Sequence, residues 1–328
     1  MTEKENSYWK IIQKVMQRIK KIQMNLKETP LVSVVLVTYN SAQYVIETLE
    51  SIKAQTWQQI ELIVSDDCST DKTAELCSNW IDCNKGRFSK TKMITVLQNS
   101  GIPANCNRGL RAAQGEWVKI ISGDDILIKN CISDNMEYVR RFPDASFVVS
   151  DIREIDENGV LIHERVVNEG LSFFVNIPSA GKQLKAYSRW PAFLNSPTFF
   201  YRREVMELVG YCDEEFRIYE DMVTIFKVTE KGIKVHYLNK ATVDYRIHRD
   251  SISRCMKAEM LRENEALEIF RKYRRRNLSI FNPLDMSVCY ESWLQFKYKG
   301  IKGWKGNSIL RKFSLFYWYV RFYGVKSY

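Results

Sequence analysis

The stretch KIISGDD, residues 119–125, decides how this chain is read. Ile120 and Ile121 are apolar and β-branched, as in a buried strand. Gly123 permits a tight turn, and Asp124 and Asp125 follow at once. A hydrophobic strand that delivers two carboxylates to a sheet edge offers hard oxygen ligands to Mg²⁺ or Mn²⁺, and through the cation to a diphosphate. The same two residues also suit an Asx-turn or the cap of the next helix. The surrounding segments weigh between the two.

Upstream, residues 32–37, VSVVLV, read as a parallel strand buried on both faces, and Thr38-Tyr39-Asn40 stand at its end. Ser41 is a plausible N-cap for a helix over 44–54. Residues 60–64, IELIV, give a second strand ending in Ser65-Asp66-Asp67, and Ser69-Thr70-Asp71 open a helix over 72–82. Residues 92–97 give a third strand ending in Gln98-Asn99-Ser100-Gly101. A helix over 105–113 and a fourth strand over 117–121 complete the run. This alternation predicts an open, mostly parallel sheet with helices on both faces. In such sheets ligands bind beyond the carboxyl ends of the strands. The four polar clusters just named all fall there, which favours a site over four unrelated turns.

Composition sets outer limits. The 328 residues are 45% hydrophobic, enough for one α/β domain with additions, and the net charge of +10 points to an anionic partner. Cys68, Cys77, Cys83, Cys106, Cys131, Cys212, Cys255 and Cys289 include no C-x₂-C pair, which argues against zinc. No secretory signal is evident, so the thiols are expected to be reduced and cytosolic. No run of eighteen apolar residues predicts a transmembrane helix. Neither G-x-G-x-x-G nor G-x-x-x-x-G-K-[ST] follows the first strand, which disfavours a dinucleotide or P-loop site.

The succession VSVVLVTYN, IELIVSDDCSTDKT and NSGIPANCNRGLRAAQGEWVKIISGDD resembles the family-2 inverting glycosyltransferases with a GT-A fold, of the bacterial surface-polysaccharide type. The likeness continues through Gly210-Tyr211-Cys212-Asp213-Glu214 and Tyr219-Glu220-Asp221 to Tyr245-Arg246-Ile247-His248, and covers about residues 31–252. It implies a nucleotide-sugar donor and Mn²⁺ or Mg²⁺. The family often has Asp-x-Asp where this chain has Ser122 first, so ligation is carried to Asp124, with Asp125 as a helper. The resemblance implies that Thr38 and Tyr39 hold the base, with Asn40 beside them, and that Asp67 accepts the N3–H of uracil or thymine. That favours a UDP or dTDP donor. Gly101, Asn107 and Arg108 are expected to bind the nucleotide sugar, and Arg108, in Asn107-Arg108-Gly109, approaches the diphosphate or is a solvated helix charge. His248 binds the metal or diphosphate, or is a turn histidine.

Inverting transfer needs a base for the acceptor hydroxyl. Asp221 is that base by resemblance, with Glu220 in support. From the residues alone, the pair equally suits the acidic first turn of a helix. Asp151 is a weaker candidate for the acceptor side.

Two flanking segments complete the expected organisation: an amphipathic helix within residues 1–29, a catalytic domain over 30–253 and a basic, aromatic helical extension over 254–328. In the first, Trp9, Ile12, Val15, Met16, Ile19 and Ile22 share one helical face. In the last, Trp, Tyr and Phe alternate with Lys and Arg. That pattern suits an anionic membrane surface, packing on the domain or, less well, single-stranded nucleic acid. The expected function is metal-dependent inverting transfer to a saccharide or lipid-linked saccharide, on the cytoplasmic face of the membrane. A catalytically inactive nucleotide-sugar-binding scaffold, a nucleic-acid-binding module and a nucleotidyltransferase are the rivals.

Overall fold

The computed structural model describes residues 29–166, 174–191, 194, 196–249, 259–298 and 309–323. The amphipathic segment near the N-terminus lies outside them. The first half alternates strands and helices: β1 (Val32–Thr38), α1 (Val45–Lys53), β2 (Ile60–Asp66), α2 (Thr73–Asn84), β3 (Lys90–Thr95), α3 (Ile102–Ala112) and β4 (Trp117–Ser122). The second half holds β5 (Ile126–Leu127), α4 (Cys131–Arg141), β6 (Phe147–Ile155), β7 (Leu161–Val166), α5 (Ala180–Arg189), β8 (Phe200–Arg202), α6 (Arg203–Val209), α7 (Glu220–Glu230) and β9 (Val235–Arg246). Among the described residues three α-helices follow: α8 (Glu259–Ile269), α9 (Pro283–Lys297) and α10 (Leu315–Tyr323).

One sheet carries all nine strands of the described residues, in the order β3-β2-β1-β4-β8-β6-β9-β5, with β7 paired to β6. The four strands of the first half are parallel, as expected. Antiparallel pairs enter with β8, which bridges β4 and β6. Strand β1 shows why the sheet needs cover on both sides. Val34 and Leu36 join Leu49 and Ile52 of α1 in one core, while Val35 and Val37 join Cys106 and Leu110 of α3 in the other. Helix α3 approaches so closely that a methyl group on Gly109 would run into Val35.

Three local expectations are corrected. Ser41 does not cap α1: the cap position is Tyr44, and Ser41 contributes its carbonyl to the Tyr44 and Val45 amides. Strand β3 spans Lys90–Thr95, not 92–97, because it follows β2 in register from Glu61/Lys90 to Asp66/Thr95. Its apolar tail gains nothing from pairing, and Leu97 is fully exposed. Helix α3 begins at Ile102, three residues early, since Pro103 in its first turn has no N–H to satisfy. Past residue 258, Ile269 and Tyr273 sit in the same core as Phe226 and Val223 of α7.

Candidate active site

Strands β1 and β2 end side by side, with Thr38 opposite Asp66. Asp66 closes the turn: it accepts from Thr38 Oγ1 at 2.9 Å, Ser69 N at 2.9 Å and Ser69 Oγ at 2.5 Å. Asn40 takes a left-handed φ of 51° and accepts from the Thr70 amide at 2.8 Å. Between them Tyr39 is 49% exposed and offers its ring to a planar ligand.

Asp67 is buried, and it accepts from Ser100 N at 3.0 Å, Ser100 Oγ at 2.7 Å, Gly101 N at 2.8 Å and Arg108 Nη2 at 2.5 Å. Burial acts to raise its carboxyl. The donors from Ser100, Arg108 and Gly101 outweigh that and hold it below the usual carboxylate range. Gly101 reaches it from a φ of 90°, a conformation for glycine. The two residues expected to meet different parts of a nucleotide thus meet each other first. Asn107 has a different task from the expected one. It is buried, its Nδ2 donates to the Cys212 carbonyl at 3.0 Å and to Glu214 Oε1 at 2.7 Å, and its Oδ1 accepts from Cys212 N at 2.8 Å.

Just past the end of β4, Gly123 packs against the turn after β1 so tightly that a Cβ would stand 2.8 Å from that of Ser41. Asp124 and Asp125 then part company. Asp125 is buried, accepts from the Arg246 amide at 3.0 Å, and has its carboxyl pushed well above the usual range by burial and then by Asp124. It is a structural anchor for β9 rather than the second ligand that the sequence suggested. Asp124 keeps about a third of its side chain exposed, and its Oδ2 lies 3.1 Å from His248 Nε2. His248 leans on Tyr44, ring centroids 5.1 Å apart, and the Arg246 guanidinium covers the same ring at 4.6 Å. Arg246 is fully buried and bonds the Asp124 carbonyl at 2.9 Å and Glu47 Oε2 at 2.6 Å.

Asp124 and His248 form a carboxylate–imidazole pair on the exposed side of this corner, a mixed oxygen–nitrogen donor set that suits Mn²⁺ better than the oxygen-preferring Mg²⁺. Among the described residues no three His, Cys, Asp or Glu side chains gather into a cage. A cation at the pair would therefore draw its remaining ligands from phosphate oxygens and water, as these ions do at phosphate sites.

The acidic pair opens α7, whose Val223, Ile225, Phe226 and Val228 are buried. Asp221 Oδ1 accepts from Met222 N at 2.6 Å, and the side chain is also bonded to Ser196. The turn Ser196–Thr198 is itself held to β4, because the buried amine of Lys119 donates to the Pro197 carbonyl. Desolvation pushes the Asp221 carboxyl up to about 6. Burial, then Asp221 and Cys212, push Glu220 well above the usual range, and its buried Oε2 has no partner among the described residues. A carboxylate poised near neutrality is what a general base requires. Asp151 is not on an open face: it is fully buried and bonded to Tyr237 Oη at 2.7 Å and Arg165 Nε at 2.6 Å.

Residues 33–210 match the family model for glycosyl transferase family 2. The chain belongs to that family. It is 27% identical to the glycosyltransferase GlyG of Streptococcus pneumoniae over 79% of this chain and 83% of that one. It is 24% identical to WfaP of Escherichia coli, a UDP-Glc:alpha-D-GlcNAc-diphosphoundecaprenol beta-1,3-glucosyltransferase, over 73% of this chain and 86% of WfaP. Among solved structures, S. aureus TarS 1-349 in complex with UDP-GlcNAc superposes with a TM-score of 0.61 at 19% identity, covering 86% of this chain and 77% of that one. The mannosyltransferase PcManGT from Pyrobaculum calidifontis, in complex with GDP-Man and Mn²⁺, gives 0.54 at 17% identity over 95% and 94%. These two show the shared GT-A fold.

For this glycosyltransferase, the residues that sequence reading passed over are Tyr44, Glu47, Ser100 and Arg246. Arg246 lies two positions from His248, but its pairing with Glu47 spans 199 residues and leaves no local signal. Ser100 could have been found, since it stands beside Gly101 in the loop already marked as a strand end.

Proposed function

We propose that this glycosyltransferase moves a sugar, with inversion, from a UDP- or dTDP-sugar to a saccharide or lipid-linked saccharide in surface-polysaccharide assembly. The observation that carries the reading is the desolvated Asp221 at the head of α7, with its carboxyl at about 6. On this reading Asp221 takes the proton from the acceptor hydroxyl as that oxygen bonds the anomeric carbon, and the nucleoside diphosphate leaves from the opposite face. Glu220, favouring its protonated form, keeps a second negative charge away from the base. Tyr39 stacks on the base and Asp67 with Arg108 forms the wall beside it. Asp124 and His248 would hold Mn²⁺ or Mg²⁺, which when bound neutralises charge on the leaving diphosphate. WfaP's lipid diphosphate acceptor and the UDP-GlcNAc bound by TarS support the substrate classes, and the Mn²⁺ of PcManGT supports the metal. The test is a mass-spectrometric screen of nucleotide sugars with Mn²⁺. Transfer or hydrolysis of a UDP- or dTDP-sugar is expected; binding of the whole panel with no turnover would leave a scaffold instead.

An anionic membrane surface is the proposed partner beyond the substrates. Residues 254–328 hold sixteen Lys and Arg against six Asp and Glu, so they carry the whole chain's net charge of +10. Trp293, Phe296, Ile309 and Phe313 there are each at least half exposed, with Lys297 4.9 Å over the Trp293 ring. Exposed aromatic rings beside cations suit the headgroup region. No helix among the described residues is long and apolar enough to cross a membrane.

A further inference from the structure

The loop that leads into the acidic pair is gripped by helices from beyond the matched family domain. Glu265, in α8, is only 5% exposed. Its Oε1 accepts from Arg217 N at 2.7 Å, and its Oε2 from Ile218 N at 3.0 Å and Tyr219 N at 3.1 Å. Three consecutive amides converge on one carboxylate, the anion-binding arrangement that a turn before a helix provides. The next residues are Glu220 and Asp221. About two turns beyond Glu265, Tyr273 Oη donates to Asp213 Oδ2 at 2.7 Å and Lys272 Nζ to the same oxygen at 2.9 Å. Phe216, between those anchors, packs edge-on to Tyr273 with ring centroids 6.0 Å apart.

We propose that Glu265 is a positioning residue for glycosyl transfer, holding the loop 213–219 so that Asp221 faces the acceptor hydroxyl. The inference rests on the reading of Asp221 as the base. A buried carboxylate is costly unless fully hydrogen-bonded, and no donor other than these backbone amides is needed to satisfy it. The bonds go to main chain, so the loop sequence leaves no trace of the partner. Glutamine at 265 keeps the size but replaces one oxygen by an NH₂ group that faces an N–H, so the grip loosens without a cavity.

The experiment uses the full chain and the UDP-sugar that the wild type turns over fastest. Glu265→Gln should lower kcat on the order of 10- to 100-fold, the range for a small misplacement of a reacting group. UDP affinity by calorimetry should stay within about twofold, because no nucleotide-facing residue changes. In an Asp221→Asn background the same change should cost almost nothing more, since its effect passes through Asp221. Tyr273→Phe, which loosens the same loop at Asp213, should show a smaller loss of kcat and covers the case in which Glu265→Gln does not fold. Wild-type kcat in both variants overturns the proposal and leaves the base assignment standing. An equal loss in both backgrounds also overturns it, because the role is then merely structural. Full activity of Asp221→Asn removes the base assignment, and Glu265 with it.

Discussion

On the proposed reading Asp221 carries the mechanism because two demands meet on one side chain. Its carboxyl must be desolvated enough to take a proton and ionised enough to be a base. At about 6 it is mostly ionised at neutral pH, so kcat should fall as pH drops through that value. Asp221→Asn should lower kcat about 10²–10⁴-fold and leave UDP affinity unchanged; similar kcat in mutant and wild type would return the pair to a helix start. The shift also sets a stability effect. The folded-state value lies above the unfolded value of 3.8, so the fold favours the protonated form. Stability is then greatest below about 3.8 and declines as pH rises through about 6. Asp221→Asn should therefore melt higher than wild type at pH 8 and less so at pH 5, a gain on the order of 1–3 kcal/mol at the higher pH. Asp67 shows the opposite balance, since its donors outweigh its burial. Asp67→Ala should weaken UDP binding by about 1–3 kcal/mol in calorimetry, and unchanged affinity would take it out of the nucleotide pocket. Asp124→Asn should cut turnover at least about 100-fold by weakening the cation site; activity that persists in this variant and in EDTA would sink the metal assignment.

Among the elements, α3 is the one whose side chains join the two halves of the site. Arg108 and Asn105 face Asp67 and Ser65, while Asn107 grips the Cys212 backbone at both its N–H and its carbonyl. Asn107→Ala should cost about 1–3 kcal/mol of stability through unsatisfied buried groups and speed amide hydrogen exchange over residues 210–219. Protection equal to wild type there would mean that the loop is held without it. This helix also marks how far sequence reading reached. Strands β1, β2 and β4 were legible because each is a short apolar run buried on both faces, and their polar ends marked where a ligand would sit. Edge strand β3 was misplaced because pairing, not hydrophobicity, sets its limits. Within the site, residue types were visible but partners were not. Asp66 is held by Ser69 in its own turn, but Asp67, Asp124 and Asp125 take their tasks from Arg108, His248 and Arg246, which other elements bring.

At the scale of the molecule, charge is segregated. With the net +10 confined to residues 254–328, vesicles containing anionic lipid should sediment the protein at low salt, each nearby Lys or Arg contributing about 1 kcal/mol. Combined Trp293→Ser and Phe313→Ser should reduce that binding; equal binding of wild type to neutral and anionic vesicles would argue that the face packs elsewhere. Chain order has a consequence of its own in the corner built by Asp124 and His248. The two residues are 124 positions apart. A ribosome adding about 5–20 residues per second needs on the order of 6 to 25 s to travel that far. Through that interval the parallel half of the sheet is already synthesised, yet Asp125, Glu47 and Tyr44 await Arg246 and His248. On the proposed reading, a nascent chain interrupted there would keep the wall of Asp67 and lack the corner of Asp124 and His248, so premature encounter with a donor would not end in chemistry.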